Sequence, residues 1–118
     1  MRKVLLVDDE ERIIRFTSLV LKTSGYKVIT STTGEKAIKL AQSNKPDIIV
    51  LDIFLPDMDG FEVLKKLRSF LDTPVIAFSA RSSVAEKALS LGANDFLAKP
   101  FIPEELVIRI KALLPPED

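Results

Sequence analysis

Residues 3–10 read Lys3-Val4-Leu5-Leu6-Val7-Asp8-Asp9-Glu10, a nearly all-apolar run that ends abruptly in three acids. A strand with one wet face alternates apolar and polar residues, so a continuous apolar run marks a strand covered on both faces, as in a parallel sheet. Lys3 to Val7 is therefore read as β1. Downstream, Ile13, Ile14, Phe16, Thr17, Val20 and Leu21 recur at helical spacing and Gly25 follows where a helix C-cap would sit, which gives α1.

The same alternation continues to the end of the chain. A strand is expected over Tyr26 to Ser31, and the Thr32 to Glu35 spacing reads as a capping box opening a helix through about Gln42. Asp47 to Asp52 is a third strand, again apolar and again ending in an acid. The loop Phe54-Leu55-Pro56-Asp57-Met58-Asp59-Gly60 leads to a helix with Phe61, Leu64 and Leu67 on one face. Val75 to Ser79 is the fourth strand. Ser83 and Glu86 read as a second capping box, for a helix ending near Leu91 before Gly92. A short strand at Asp95 to Ala98 precedes Lys99-Pro100, and Pro103 opens a last helix that buries Leu106, Val107, Ile110, Leu113 and Leu114. Five strand–helix repeats with apolar strands imply an α/β domain, a parallel sheet wound on both faces by right-handed crossovers.

Composition fits one such domain and excludes several chemistries. The chain has 118 residues, 47% hydrophobic and 29% charged, enough apolar material for a single core. Lysine plus arginine and aspartate plus glutamate both number 17, so no net charge draws the domain to nucleic acid or to an anionic membrane. There is no cysteine and no histidine, which removes disulfides, thiolate nucleophiles, Ser-His-Asp triads and ordinary zinc sites. Apolar runs of about four residues fall far short of the roughly 20 needed to span a bilayer. The start lacks the apolar core and cleavage site of a signal peptide, so a cytoplasmic location is expected. Met1 reads as a natural start, and Pro115-Pro116 as a linker stub or a true end.

Ligands of parallel α/β sheets bind at the carboxyl ends of the strands, and the polar residues gather there: Asp8, Asp9 and Glu10 after β1, Asp52 after the third strand, Ser79 after the fourth, Lys99 after the fifth. Taken singly, acids there are as well explained as partners of a helix N-terminus, Ser79 as a turn hydroxyl and Lys99 as a solvated charge. If the first and third strands are neighbours, however, Asp8, Asp9 and Asp52 crowd three carboxylates together, and hard oxygen ligands without histidine or thiolate point to Mg²⁺, with Mn²⁺ as a substitute ion. A carboxylate beside such an ion, a hydroxyl and a lysine can handle a phosphoryl group, the product being an aspartyl phosphate. A phosphohistidine donor would have to lie on another protein.

At Val7-Asp8-Asp9-Glu10, Asp52 with Leu55-Pro56-Asp57-Met58-Asp59-Gly60, Ser79-Ala80, Gly92-Ala93 and Phe96-Leu97-Ala98-Lys99-Pro100-Phe101, the chain resembles the receiver domains of two-component response regulators. The resemblance covers essentially residues 1–118 and implies a flavodoxin-like (βα)5 fold with strand order 2-1-3-4-5. It implies Asp52 as phosphoacceptor, Lys99 and Ser79 as its partners in the reaction, and a phosphoryl contact at the Ala80 backbone. It implies a metal held by Asp8, Asp9, Asp52 and the Phe54 carbonyl, a switch pair of Ser79 and Phe96, and a cis Lys99-Pro100 peptide. The implied partner is a sensor histidine kinase or histidine phosphotransfer protein, the implied output a change of the α4-β5-α5 surface, with a phosphorylation-dependent dimer as one outcome. No enzymatic turnover of a free substrate is implied beyond self-phosphorylation and autodephosphorylation.

Three features depart from the family pattern. The Ser79 to Lys99 interval is about two residues short, which should shorten α4 or the loop before it. Asn94 stands where many transcriptional members carry an acid, and Phe96 lacks the hydroxyl of the commoner tyrosine. Ile108, off the apolar stripe of the last helix, is a candidate partner contact. Two other readings compete: an interaction module of the same fold that works without phosphorylation, and a small Mg²⁺-dependent phosphohydrolase, for which no insertion long enough to cap the site is present. Phe54 and Arg81, each two residues beyond Asp52 and Ser79, are expected to flank the pocket mouth and to exclude hydrolytic water.

Overall fold

The computed structural model describes residues 1–116; Glu117 and Asp118 lie outside the described residues. Its elements are β1 (Lys3–Val7), α1 (Glu11–Thr23), β2 (Lys27–Ser31), α2 (Gly34–Asn44), β3 (Ile48–Asp52), α3 (Gly60–Arg68), β4 (Val75–Ser79), a 3₁₀ turn (Ser82–Val84), α4 (Ala85–Ser90), β5 (Asp95–Ala98) and α5 (Pro103–Leu113). The strands form one parallel sheet in the order β2-β1-β3-β4-β5. This is the expected flavodoxin-like architecture.

Because successive strand side chains point to opposite faces, each apolar strand feeds two cores. Val4 and Leu6 of β1, Ile48 and Val50 of β3, and Ile76 and Phe78 of β4 pack with Leu21 of α1 and Leu106 and Ile110 of α5. Leu5 and Val7, Ile49 and Leu51, and Val75 and Ala77 pack on the other face with Ala37 of α2 and Val63, Leu64 and Leu67 of α3. Every residue of β3 and β4 is buried, so the central strands have no wet face and need none of the alternation an exposed sheet would show. Each such Leu or Ile stabilises the fold by roughly 1.5–3 kcal/mol relative to exposure.

The element ends differ from expectation where polar partners come from afar. Strand β2 begins at Lys27 rather than Tyr26. Asp47 sits outside β3, its Oδ2 accepting the Lys3 N–H at 2.7 Å while its own N–H donates to the Lys3 carbonyl. The capping box expected at Thr32 and Glu35 does not form: Thr33 is the N-cap, and its hydroxyl accepts from the Lys36 N–H. The first free N–H groups of α2, on Gly34 and Glu35, donate instead to the two carboxylate oxygens of Asp57 in the β3–α3 loop, at 2.8 and 3.0 Å. The Ser83–Glu86 box does not form. The short connection after β4 winds Ser82–Val84 into a 3₁₀ turn that places Ser83 inside it, and α4 starts with no side-chain cap.

Helix α1 also turns differently from its apolar spacing. Thr17, Ser18 and Leu21 are its buried residues, whereas Phe16 and Leu19 are exposed. Gly25 (φ +97°) and Gly92 (φ +109°) take the left-handed conformation expected after α1 and α4. No described helix is long and apolar enough to cross a membrane.

Candidate functional site

The register decides what meets at the carboxyl edge. Val7 pairs with Leu51, so the next residues out, Asp8 and Asp52, emerge side by side; Ser79 pairs with Ala98, which sets Lys99 just beyond Ser79. The Lys99 N–H donates to the Ser79 carbonyl at 2.8 Å, and the following Lys99-Pro100 peptide is cis as expected.

The two strand-end carboxylates are locked by their own loops. Asp8 Oδ1 accepts the Glu10 N–H at 2.9 Å and Asp52 Oδ1 accepts the Phe54 N–H at 3.0 Å, an Asx-type arrangement in which the side chain closes the turn that follows it. Gly60 tightens the same loop from its far end: its N–H donates to the Ile53 carbonyl at 2.7 Å, and a Cβ there would lie 2.4 Å from Ile53 Cα. The second oxygens face Lys99, whose Nζ lies 3.1 Å from Asp8 Oδ2, 3.2 Å from Asp52 Oδ2 and 3.4 Å from Glu10 Oε1. The contact with Asp8 Oδ2 is ionic but lacks hydrogen-bond geometry, so that buried oxygen has no hydrogen-bond partner. The Lys99 ammonium also lies 5.0 Å from the centre of the Phe78 ring, a cation–π contact.

Asp8 is fully buried and Asp52 is 3% exposed, while Asp9 is exposed. One oxygen from each of the three comes within 4.8 Å of the others. Burial pushes the Asp8 carboxyl up to about 6, helped by the Asp52 charge and opposed by the Glu10 N–H and by Lys99. Burial raises Asp52 as well, against the Phe54 N–H and Lys99. Burial would lower Lys99, yet the Asp52 and Asp8 carboxylates outweigh it and hold the ammonium above its ordinary value. Three carboxylates against one ammonium leave the pocket short of positive charge. A hard divalent cation with oxygen ligands would restore it, and Asp8 Oδ2, which accepts no hydrogen bond, and exposed Asp9 suit Mg²⁺.

The other residues singled out in the sequence are placed as follows. Ser79 is fully buried, its Oγ accepting the Arg81 N–H at 3.0 Å. Phe96 is partly buried and packs against the core beneath α2 and α3. The Arg81 guanidinium stacks 5.2 Å from the centre of the half-exposed Phe54 ring, so the two side chains expected at the pocket mouth touch each other. Ala80, Lys99, Phe101 and Pro103 line, with Glu10 and Phe16, a largely apolar cleft of about 520 Å³ between α1 and the β5–α5 connection.

The sequence reading missed several polar contacts. Arg109 of α5 donates to both carboxylate oxygens of Asp95, at 2.9 and 3.0 Å, and to Glu105 at 3.3 Å; the Glu105 to Arg109 spacing of one helical turn was the available signal. Asn94, though exposed, ties the start of β4 to α3, its Oδ1 accepting from the Val75 N–H and from Arg68, both at 2.9 Å. Arg68 also donates to the carbonyls of Gly92 and Thr73. Ile108 is 66% exposed, as expected for a surface position.

A doubly wound parallel sheet with an acidic, lysine-closed pocket at its carboxyl edge defines the class: a flavodoxin-like domain equipped to hold a cation and an anion side by side. The sequence pattern of the response regulator receiver domain matches residues 4–111, and the chain belongs to that family. It is 47% identical over 116 residues to the alkaline phosphatase synthesis transcriptional regulatory protein PhoP of Bacillus subtilis, covering 96% of this chain and 48% of that protein. It is 44% identical over 114 residues to the transcriptional regulatory protein KdpE of Mycobacterium tuberculosis, covering 95% and 50%. The chain thus spans about half the length of these curated relatives. Among solved structures, the receiver domain of the Francisella response regulator 1452 superposes with a TM-score of 0.90 at 35% identity, covering 96% of both chains. A two-component response regulator from Clostridium difficile gives 0.91 at 30% identity, covering 96% and 95%. Receiver domains are signalling modules that bind Mg²⁺ at an acidic pocket, and the structure brings Asp8, Asp9 and Asp52 together in an acidic group at the carboxyl edge of the sheet.

Proposed function

We propose that this chain is a phosphoacceptor switch in which Asp52 takes a phosphoryl group from a phosphohistidine on a sensor kinase or phosphotransfer protein. The observation that carries the reading is the convergence of the Asp8 and Asp52 carboxylates on Lys99 Nζ, at 3.1 and 3.2 Å, with Asp9 completing an oxygen cluster. In the transfer an Asp52 carboxylate oxygen attacks phosphorus, the P–N bond to the donor imidazole breaks, and the imidazole nitrogen keeps the electron pair. Mg²⁺ held by Asp8, Asp9, Asp52 and the Phe54 carbonyl would neutralise the phosphoryl oxygens. Lys99 leaves its carboxylate partners to meet the same oxygens. The Ala80 backbone N–H and the Ser79 hydroxyl proton donate to the rest, the Ser79 oxygen meanwhile accepting the Arg81 N–H. Phe96 follows Ser79, so the strain passes to the α4-β5-α5 surface.

The donor protein would dock at the cleft beside Lys99, which exposed Phe16 lines together with Phe101 and Pro103. The output is an effector domain or a separate partner protein, and a dimer formed on phosphorylation is one route to it. Residues 1–118 act as a single domain in the cytoplasm. Incubation with acetyl phosphate and Mg²⁺, followed by intact-mass measurement and peptide mapping, tests the reading. One phosphoryl group on Asp52, absent in Asp52→Asn, is expected; an unmodified protein would leave an interaction module that works without phosphorylation.

A further inference from the structure

Glu10 has no part in the function proposed above, yet its placement is tightly defined. It occupies the N-cap position of α1 but makes no side-chain cap hydrogen bond, so its carboxylate is not tied to its own helix. Its backbone N–H is committed to Asp8 Oδ1, which fixes where the side chain leaves the chain. The carboxylate reaches across to the β5–α5 connection, 3.4 Å from Lys99 Nζ. Of the three carboxylates that share Lys99, those of Asp8 and Asp52 are buried and that of Glu10 is 59% exposed, at the rim of the cleft through which a donor would enter.

The geometry points to Glu10 as an electrostatic gate: a positioning residue that draws Lys99 toward the pocket mouth, and so withholds it from an incoming anion, until the donor displaces it. The inference rests on Asp52 being the phosphoacceptor. A phosphoryl donor must take Lys99 away from Glu10 and bring its own negative charge past the Glu10 carboxylate. Both costs grow with the charge of the donor. Acetyl phosphate is a dianion near neutral pH, and its reaction breaks the P–O bond with acetate leaving on the electron pair. Phosphoramidate carries one net negative charge, and its P–N bond breaks with ammonia leaving, the extra proton being already on nitrogen. The gate therefore disfavours the first donor more than the second. Because the ion pair is exposed, its effect should be several-fold rather than orders of magnitude, and salt should erase it.

The test compares the parent with Glu10→Gln, which keeps the side-chain length and the backbone N–H to Asp8. At low ionic strength and saturating Mg²⁺, Glu10→Gln should be phosphorylated by acetyl phosphate about 3–10-fold faster than the parent, with a smaller gain for phosphoramidate, both ratios contracting toward one near 1 M salt where the Debye length is about 3 Å. Binding of trifluoroberyllate, followed by amide chemical shifts, should tighten by a similar factor while Mg²⁺ affinity stays level or falls. Opposite responses to an anion and a cation are what a lost negative charge produces; a loosened pocket would weaken both. Equal rates for parent and variant with both donors, a gain independent of donor charge and salt, or joint loss of anion and Mg²⁺ binding would each overturn the gate while leaving Asp52 as the acceptor. A parent that takes no phosphoryl group on Asp52 from either donor would instead bring down the proposed function, and the gate with it.

Discussion

The ends of β1 and β3 and the segment from β4 to β5 meet at the same edge of the sheet but are held very differently. Asp8 and Asp52 are buried, each closes its own loop through a backbone N–H, and both engage Lys99. The segment that follows β4 has a 3₁₀ turn with no buried residue, then a six-residue α4 with no side-chain cap and only Ala88 buried. Its firm anchorage is at the far end, where Arg68 bonds the Gly92 carbonyl and Asn94, and where a Cβ on Gly92 would come within 3.0–3.2 Å of the Arg68 side chain. On the function proposed above, the difference is a division of labour: the reacting groups sit where geometry is over-determined, and the surface that would respond sits where few contacts resist a shift.

The strongest way to break the contrast is at Asp52. Asp52→Asn is expected to abolish phosphorylation and, by removing a buried, repelled charge, to raise metal-free stability by about 1–3 kcal/mol, measured by urea unfolding. Lower stability would mean that the carboxylate is held mainly for structure.

The next effect is on pH. Asp8 is raised in the folded state from 3.8 to about 6, so the fold binds a proton that the unfolded chain has released over that window. Its contribution is fully present below pH 3.8 and is lost as pH rises through about 6. Metal-free protein should therefore lose stability between about pH 4 and 6, and millimolar-range Mg²⁺ should flatten or reverse the slope, because the ion binds the deprotonated pocket. Below that window the lowered Asp57, which holds the N-terminus of α2, works in the opposite direction as it protonates. Thermal melts across pH, with and without Mg²⁺, check both signs.

Arg68→Ala sharpens the comparison from the other side. Losing the bonds to Gly92, Thr73 and Asn94 should cost about 1–3 kcal/mol and speed amide exchange at residues 85–95, with Mg²⁺ affinity unchanged. A change in Mg²⁺ affinity would show that the two regions are not separately held. The smallest expected effect is on lifetime. Replacing Phe54 with Asn and Arg81 with Glu removes the stacked pair at the mouth and should admit in-line water, accelerating phosphoprotein decay several-fold while Asp52 remains modified. Equal decay rates would remove the pair from the mechanism.

The architecture and the candidate site were legible in the sequence for a shared reason. Continuous apolar runs fix buried strands, and a parallel sheet forces their polar terminal residues onto one edge, so Asp8, Asp52, Ser79 and Lys99 could be placed together before any coordinate. What was not legible depended on partners far apart in the chain. Thr33 rather than Thr32 caps α2 because Asp57, more than 20 residues away, takes the first N–H groups, and a local capping rule has no access to that contact. Ser83 lost its role to the 3₁₀ winding of a short connection. Phe16 belongs to the apolar pattern of α1 yet lines a cleft, because spacing gives a helix face but not what covers it. The Glu10–Lys99 contact spans 89 residues and has no local signature.

The central claim is that chemistry at the fixed edge moves only the loosely held segment, and amide hydrogen exchange of the parent with and without stoichiometric phosphorylation on Asp52 tests it most directly. The account expects altered exchange across residues 80–102, with β1 and β3 unchanged, and loss of that response in phosphorylated Lys99→Ala and Ser79→Ala. A uniform change over the whole sheet, or full retention of the response in both variants, would contradict it.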